Sequence, residues 1–325
     1  MPGLKDMDYL AARLHGRRAR LAEGPRLRAL CALGSPAALG EALFPGAGLT
    51  AAADIQARLA EEVIKETLEI RACLSGARAA FIEWQAARFQ LENLKLIVRA
   101  LAAGRDPAAA ARLLIRLPAC PGYGAELGKA KNFEELLAAL PRGVLRGSLQ
   151  AAYAAPPPAG APFFYEARLD RDYLREMAAR AAALGGEDGE LAGLLCAQEA
   201  AVFNLELAAR GINFHGFEKG ALLELLASGP GLGPKRFPEL PGSGAESEGA
   251  GPEQDGLAAA WRRCARLAAR SFRRGHMEFG AAAGYVALRR AETSNLITVA
   301  EGLRLGLAAE EILRRLVPLS LEGHV

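Results

Sequence analysis

Four histidines, His15, His215, His276 and His324, are the natural acid–base candidates in this chain, and they are scattered. None has a Cys, Ser or carboxylate at a spacing that would make it the base of a nucleophile. Five cysteines, Cys31, Cys73, Cys120, Cys196 and Cys264, stand equally far apart. No two have metal-ligand spacing, and an odd number argues against a disulfide framework, so reduced thiols are expected. The glycine-rich stretch GPGLG, residues 229–233, has no apolar strand before it and reads as a loop rather than a phosphate cradle. There is no Walker motif, no HExxH and no DDxxD pair for metal–diphosphate chemistry. The expectation is therefore no catalytic residue, no metal and no cofactor.

The residue pattern that does recur carries no reactive group. Asn93, Asn204 and Asn295 are each followed by leucine inside a long helical pattern. Gly104 follows the first after eleven residues, Gly216 the second after twelve, and Gly306 the third after eleven. A second amphipathic segment follows each glycine: RDPAAAARLLIRL, FEKGALLELLASG and LAAEEILRRLV. The reading is a helix, a glycine stop and a short helix, three times. At about 100° per residue each asparagine falls within an apolar arc. Asn295 shares its stripe with Tyr285, Leu288, Val299 and Leu303, and Glu292 lies on it too. A buried amide must find partners, so each Asn is expected to hydrogen-bond a neighbouring loop or helix end.

Two basic stretches stand out. Arg13, Arg17, Arg18, Arg20, Arg26 and Arg28 punctuate the N-terminal helices. Arg262, Arg263, Arg266, Arg270, Arg273 and Arg274 lie between Asp255 and Glu278 with no acidic residue among them. Arg262, Arg266, Arg270 and Arg273 share one helix face, which is solvated or meets an acidic partner through forked contacts to carboxylates; contact with anionic lipid is a third reading, disfavoured because no strongly apolar face with bulky anchors lies opposite.

The elements that must carry these residues are helical almost throughout. Just over half of the 325 residues are apolar, β-branched and aromatic residues are few, and the formal charge is only +3. That charge is too small to argue for nucleic acid, and no aromatics interleave with the basic clusters. The N-terminus lacks an apolar core of signal-peptide length, and no stretch of about 18 apolar residues is read as a bilayer span. Residues 53–104 run without proline, interrupted at Ser75-Gly76, and Pro107 suits a helix start. Pro/Gly-rich breaks fall at 154–162 and 229–256. The expected organisation is three diverged helical repeats, residues 1–118, 119–230 and 231–325, the last opening with the Gly/Pro-rich loop 229–256.

These features together resemble the C-type subunits of the bacterial and archaeal V-type (A-type) rotary ATPases, a family that includes the d-type subunits of the eukaryotic enzymes. The resemblance is closest in YVALRRAETSNLITVAEGLRLGLAAEEILRRL, residues 285–316. There the family's aromatic, Glu-x-x-Asn-Leu, glycine and Glu-rich helix fall on Tyr285, Glu292, Asn295, Leu296, Gly306, Glu310 and Glu311. The family's Glu-x-x-Leu-Asp-x-x-Tyr falls on Glu166, Leu169, Asp170 and Tyr173. The chain departs from the family where an arginine often follows Asn-Leu: Lys95, Glu206 and Ile297 stand there instead.

The resemblance implies an all-α fold of three pseudo-threefold-related domains forming a funnel. It implies a non-catalytic rotor part, a socket present once per hetero-oligomer, between the membrane proteolipid ring (of c, K or L type) and the central shaft built by the D and F proteins. The chain would then sit peripherally on the cytoplasmic face of the membrane, without inserting, and transmit torque during proton- or sodium-coupled ATP synthesis or hydrolysis. The first rival reading is a helical interaction scaffold unrelated to rotary ATPases; a second, ranked well below because the acidic metal-binding motifs are missing, is an all-helical enzyme acting on an isoprenoid-like substrate.

Overall fold

The computed structural model describes residues 4–117, 122–155, 162–238, 252–275 and 278–317. His276, His324, Cys120 and the loop residues 239–251 lie outside them. The described residues form an all-α structure with no strand; one isolated bridge joins Gly229 and Gly233. The chain divides into two compact units. One is Met1–Ala79 with Trp261–Val325, the other Ala80–Ala260.

The first unit opens with α1 (Leu4–Arg18), α2 (Gly24–Cys31), α3 (Pro36–Leu43) and α4 (Ala52–Ala72). Helix α5 (Gly76–Ala102) then runs into the second unit, which continues with α6 (Pro107–Ala111), α7 (Phe133–Ala139), α8 (Val144–Ala154), α9 (Pro162–Ala182), α10 (Gly186–Asn213) and α11 (Lys219–Leu223). Helix α12 (Pro252–Arg274) leads back to the first unit, completed by α13 (Phe279–Arg304) and α14 (Ala309–Arg314). Helix α12 begins inside the stretch expected as loop, at a proline whose fixed φ suits the first helical turn.

Local chemistry explains many of the ends. Ser35 accepts from the Ala38 N–H at 3.2 Å with Pro36 behind it, and Asp106 accepts from the Ala108 N–H at 2.9 Å ahead of Pro107. Asn132 caps α7 through the Glu135 N–H at 2.8 Å, while Glu135 reaches back to the Lys131 N–H at 2.9 Å.

In the first unit α13 packs along α4, and α2, α3 and α14 close the core around them. Leu27, Leu39, Ile55, Leu59, Val299 and Ile312 are among its most buried members. Helices α12 and α13 approach closely at Gly284, where a Cβ would lie 2.6 Å from the Phe272 nitrogen. The Ser271 hydroxyl donates to the Gly280 carbonyl beside it, at 2.8 Å. In the second unit α9 lies between α8 and α10, and a core of Phe163, Leu207, Leu222, Leu225 and Leu226 joins α9, α10 and α11.

Helix α10 corrects one expectation. It is long and apolar enough to cross a membrane by length and composition, where no such stretch was expected. It packs against α9 and α11, and Asn204 on it holds the Ala227 backbone.

Candidate functional site

The three asparagines make one and the same contact. The Asn93 side chain accepts from the Ile115 N–H and donates to the Ile115 carbonyl, both at 2.8 Å. Asn204 holds Ala227 the same way, at 2.8 and 2.9 Å. Asn295 holds Val317 at 2.7 and 2.9 Å. In each case one side-chain amide satisfies both backbone groups of a single residue beyond the short helix, and so ties that helix to the long one. Asn93 and Asn295 are buried and Asn204 half-buried. Asn93 also donates to the Tyr123 carbonyl at 2.8 Å.

The spacing follows from the same geometry. Gly104, Gly216 and Gly306 take φ of 63°, 65° and 69°, the left-handed stop that glycine allows without a Cβ penalty. From glycine to clamped residue the distance is eleven residues each time: 104 to 115, 216 to 227, 306 to 317. The one-residue excess of the second copy sits before the glycine. There the Phe217 N–H closes on the Gly211 carbonyl, six residues back, at 2.9 Å. In the others Arg105 closes on Ala100 at 2.8 Å and Leu307 on Gly302 at 3.0 Å, five residues back.

Packing between long and short helix is complementary in size. Seven residues after the asparagines stand Ala100, Gly211 and Gly302; six after the stop glycines stand Ala110, Leu222 and Ile312. A Cβ on Gly211 would lie 2.5 Å from Leu222, and one on Gly302 would lie 2.6 Å from Ile312. Where the short helix offers a large side chain the long helix offers glycine; where both can be alanine, both are.

The motif residues Glu166, Asp170 and Tyr173 line one face of α9 and meet α5 in order. Arg99 forks onto Glu166 at 2.7 and 2.8 Å. Asp170, buried, takes Lys95 at 3.0 Å and Arg88 at 3.0 Å. Tyr173 stacks on Trp84 with ring centroids 5.5 Å apart, and the Trp84 indole donates to the Tyr173 carbonyl at 3.0 Å. Arg88 also reaches Glu92 at 2.8 Å. Burial alone would raise the Glu92 carboxyl, but Arg88, Lys95 and Arg99 hold it below its usual range. Thus Lys95, one of the departures noted in the sequence, is half of a buried ion pair. Opposite charges at matching helical spacings on the two segments were the signal for this face; only the pairing of α5 with α9 was missing.

Glu292 faces the equivalent junction in the first unit. Its carboxylate accepts from the Ala22 N–H and pairs with Arg289, which also reaches Glu66 on α4 at 3.2 Å. The Tyr285 hydroxyl donates to Glu66 at 2.7 Å. Burial and the Glu66 carboxylate together raise that phenol well above its usual value.

The two basic stretches have different fates. Arg13 and Arg17 both pair with Glu69, and Arg18 pairs with Glu23 at 2.8 Å. Arg262, Arg266, Arg270 and Arg273 are all exposed, and none has an ion-pair partner among the described residues. The opposite face of α12, with Ala260, Ala265, Ala268, Ser271 and Phe272, is buried.

The two histidines among the described residues sit against aromatic rings. His15 packs on Phe272 at 4.8 Å and His215 between Phe163 and Phe217 at 4.5 and 5.6 Å. Among the described residues no group of three His, Cys, Asp or Glu is placed to hold a metal ion. The GPGLG segment closes into a tight turn, the Gly229 N–H donating to the Gly233 carbonyl at 2.9 Å.

A model of the ATP synthase (C/AC39) subunit family matches residues 10–315. No curated protein matches the chain. With nearly its whole length covered, the chain belongs to the ATP synthase (C/AC39) subunit family, whose members are subunits of membrane-associated V/A-type ATPases.

Proposed function

We propose that this member of the ATP synthase (C/AC39) subunit family is the central-stalk socket of a V/A-type ATPase. In this reading it joins the proteolipid ring to the D–F shaft and carries torque between them without catalysing any step itself. It sits peripherally on the cytoplasmic face through the complex. Its three helical repeats, 1–118, 119–230 and 231–325, surround a pseudo-threefold axis as a funnel.

The observation that carries the reading is the asparagine clamp, built three times with the same eleven-residue interval from glycine to clamped residue. A torque-bearing part must hold its helices in fixed register under load. Close-packed helices resist compression, and a satisfied buried amide penalises any sliding that would strand its two backbone partners. The clamps join helix to helix and offer no group for bond-making chemistry, which supports a mechanical role over an enzymatic one.

The deciding experiment is purification of the chain from native membranes in mild detergent, followed by identification of its companions. Proteolipid and the D and F shaft proteins are expected. Companions lacking every ATPase component would overturn the socket and favour a general helical scaffold.

A further inference from the structure

We infer that the arginine row of α12 is a docking strip for an acidic α-helix of a protein partner, one that carries carboxylates at four-residue intervals along one face. The inference rests on the proposed role of this chain as a part held between other subunits, and it names the chemistry of one contact.

Arg262, Arg266, Arg270 and Arg273 fall within an arc of roughly 80° at 100° per residue, so they form a row and not a broad patch. Arg262 to Arg273 spans about 16 Å, in steps of about 6 Å between residues four apart. A second helix laid alongside presents its own four-residue ridge at the same step. Each guanidinium can then fork onto one carboxylate. Arg263 and Arg274, also exposed, flank the row.

Several arginines elsewhere in the same unit are paired within the protein. Arg13 and Arg17 hold Glu69, Arg58 holds Glu62, Arg289 holds Glu66 and Glu292, Arg304 holds Glu301 and Arg315 holds Glu311. None of the four arginines of the α12 row has an ion-pair partner among the described residues. The row is also held in place. The opposite face packs against α13 through the Gly284 approach and the Ser271 hydrogen bond, so the row cannot turn away.

A lipid surface is the less fitting partner. Helices that lie in a bilayer interface expose bulky apolar anchors opposite their basic face, and here that opposite face is buried in the protein.

The test uses the purified full chain and fluorescence anisotropy. One labelled, helix-stabilised peptide carries glutamates at positions i, i+4, i+8 and i+11. Its control has the same composition with the glutamates spread around the helix. The row-matched peptide should bind about tenfold more tightly, a difference that shrinks as salt rises. Arg266→Glu with Arg270→Glu should abolish that preference, and a peptide with lysines in the row should bind this variant better than wild type. Far-UV circular dichroism checks the variant's fold, and Arg266→Gln with Arg270→Gln replaces it if helicity falls. Equal binding of the two peptides would overturn the inference. So would binding to phosphatidylserine vesicles with no peptide preference. Neither result depends on which proteins co-purify with the chain, so the socket reading stands or falls separately.

Discussion

Two helix junctions in this protein share one layout and solve it with different chemistry. In the first unit α13 runs along α4; in the second α5 runs along α9. The residue six after the asparagine makes the corresponding contact in both: Glu301 with Gln56, and Arg99 with Glu166. Counting on from Gln56 and Glu166, Ala60 stands where Asp170 does and Val63 where Tyr173 does. Two residues after the asparagines stand Ile297 and Lys95. An apolar pair thus occupies the positions that hold a buried ion pair in the other junction. The α13–α4 junction places its ions elsewhere, at Glu66, Arg289 and Glu292.

The asparagine clamp thus belongs to the repeat, while the buried ions belong to the individual junction. A clamp satisfies backbone groups that every copy possesses. An ion pair must offset the desolvation of both its charges, so a well-packed apolar pair can replace it at little cost.

The largest effect is expected from Asp170→Ala. It leaves Lys95, in its buried site, with Glu92 alone at 3.2 Å and takes one of two carboxylates from Arg88, for an expected loss of about 3 kcal/mol in urea unfolding. A loss below about 1 kcal/mol would mean that the cluster is solvated and contributes little.

The α5–α9 junction should accept the apolar pair of the α13–α4 junction. Lys95→Ile combined with Asp170→Ala should recover about 1.5 kcal/mol or more relative to the sum of the single variants. Additive losses would show that the ions do more than fill their positions.

At the clamps the copies should behave alike. Asn295→Leu leaves the Val317 N–H and carbonyl without their partner, and should cost about 1 to 3 kcal/mol with the helical content intact. Asn93→Leu should cost at least as much, because it also releases the Tyr123 carbonyl. Thermal melts of both variants decide this, and an unchanged melting temperature would show that the amide is dispensable.

A somewhat smaller effect is expected from Gly302→Ala, about 1 to 2 kcal/mol of overpacking against Ile312. Adding Ile312→Ala should restore part of it, since Ala100 and Ala110 already occupy these two places in the first copy. A single variant as stable as wild type would show that Ile312 yields freely.

The smallest expected effect is a pH dependence at α4. The hydrogen bond from Arg17 lowers the Glu69 carboxyl, against burial that would raise it, and the Arg17 and Arg13 charges add to the lowering. The folded value therefore lies below the unfolded one, near about 4.3. The stabilisation is present above that pH and fades as pH falls through the folded value. Glu69→Gln should cost below about 1 kcal/mol at neutral pH, because the pair is part-exposed, and nothing at pH near about 2. A difference from wild type that does not change with pH would remove the charge from the account.

What was legible in the sequence was local in cause. The left-handed glycines at 104, 216 and 306, the proline-led start at 107, and the apolar arcs around each asparagine follow from backbone sterics and the helical period. These act within a few residues, so the chain's own order displays them. That each asparagine needed partners was also readable, because a buried amide cannot go unsatisfied.

What the tertiary structure decided was which groups meet across long stretches of chain. Arg17 pairs with Glu69 and Arg289 with Glu66, while Arg266 and Arg270 face outward, although all are arginines on amphipathic helices. Coulomb attraction is nearly blind to sequence distance, and each arginine had many carboxylates it could have joined. Only the packing of α13 on α4 and of α5 on α9 brought particular ones together, because close-packed helices admit one register at a time.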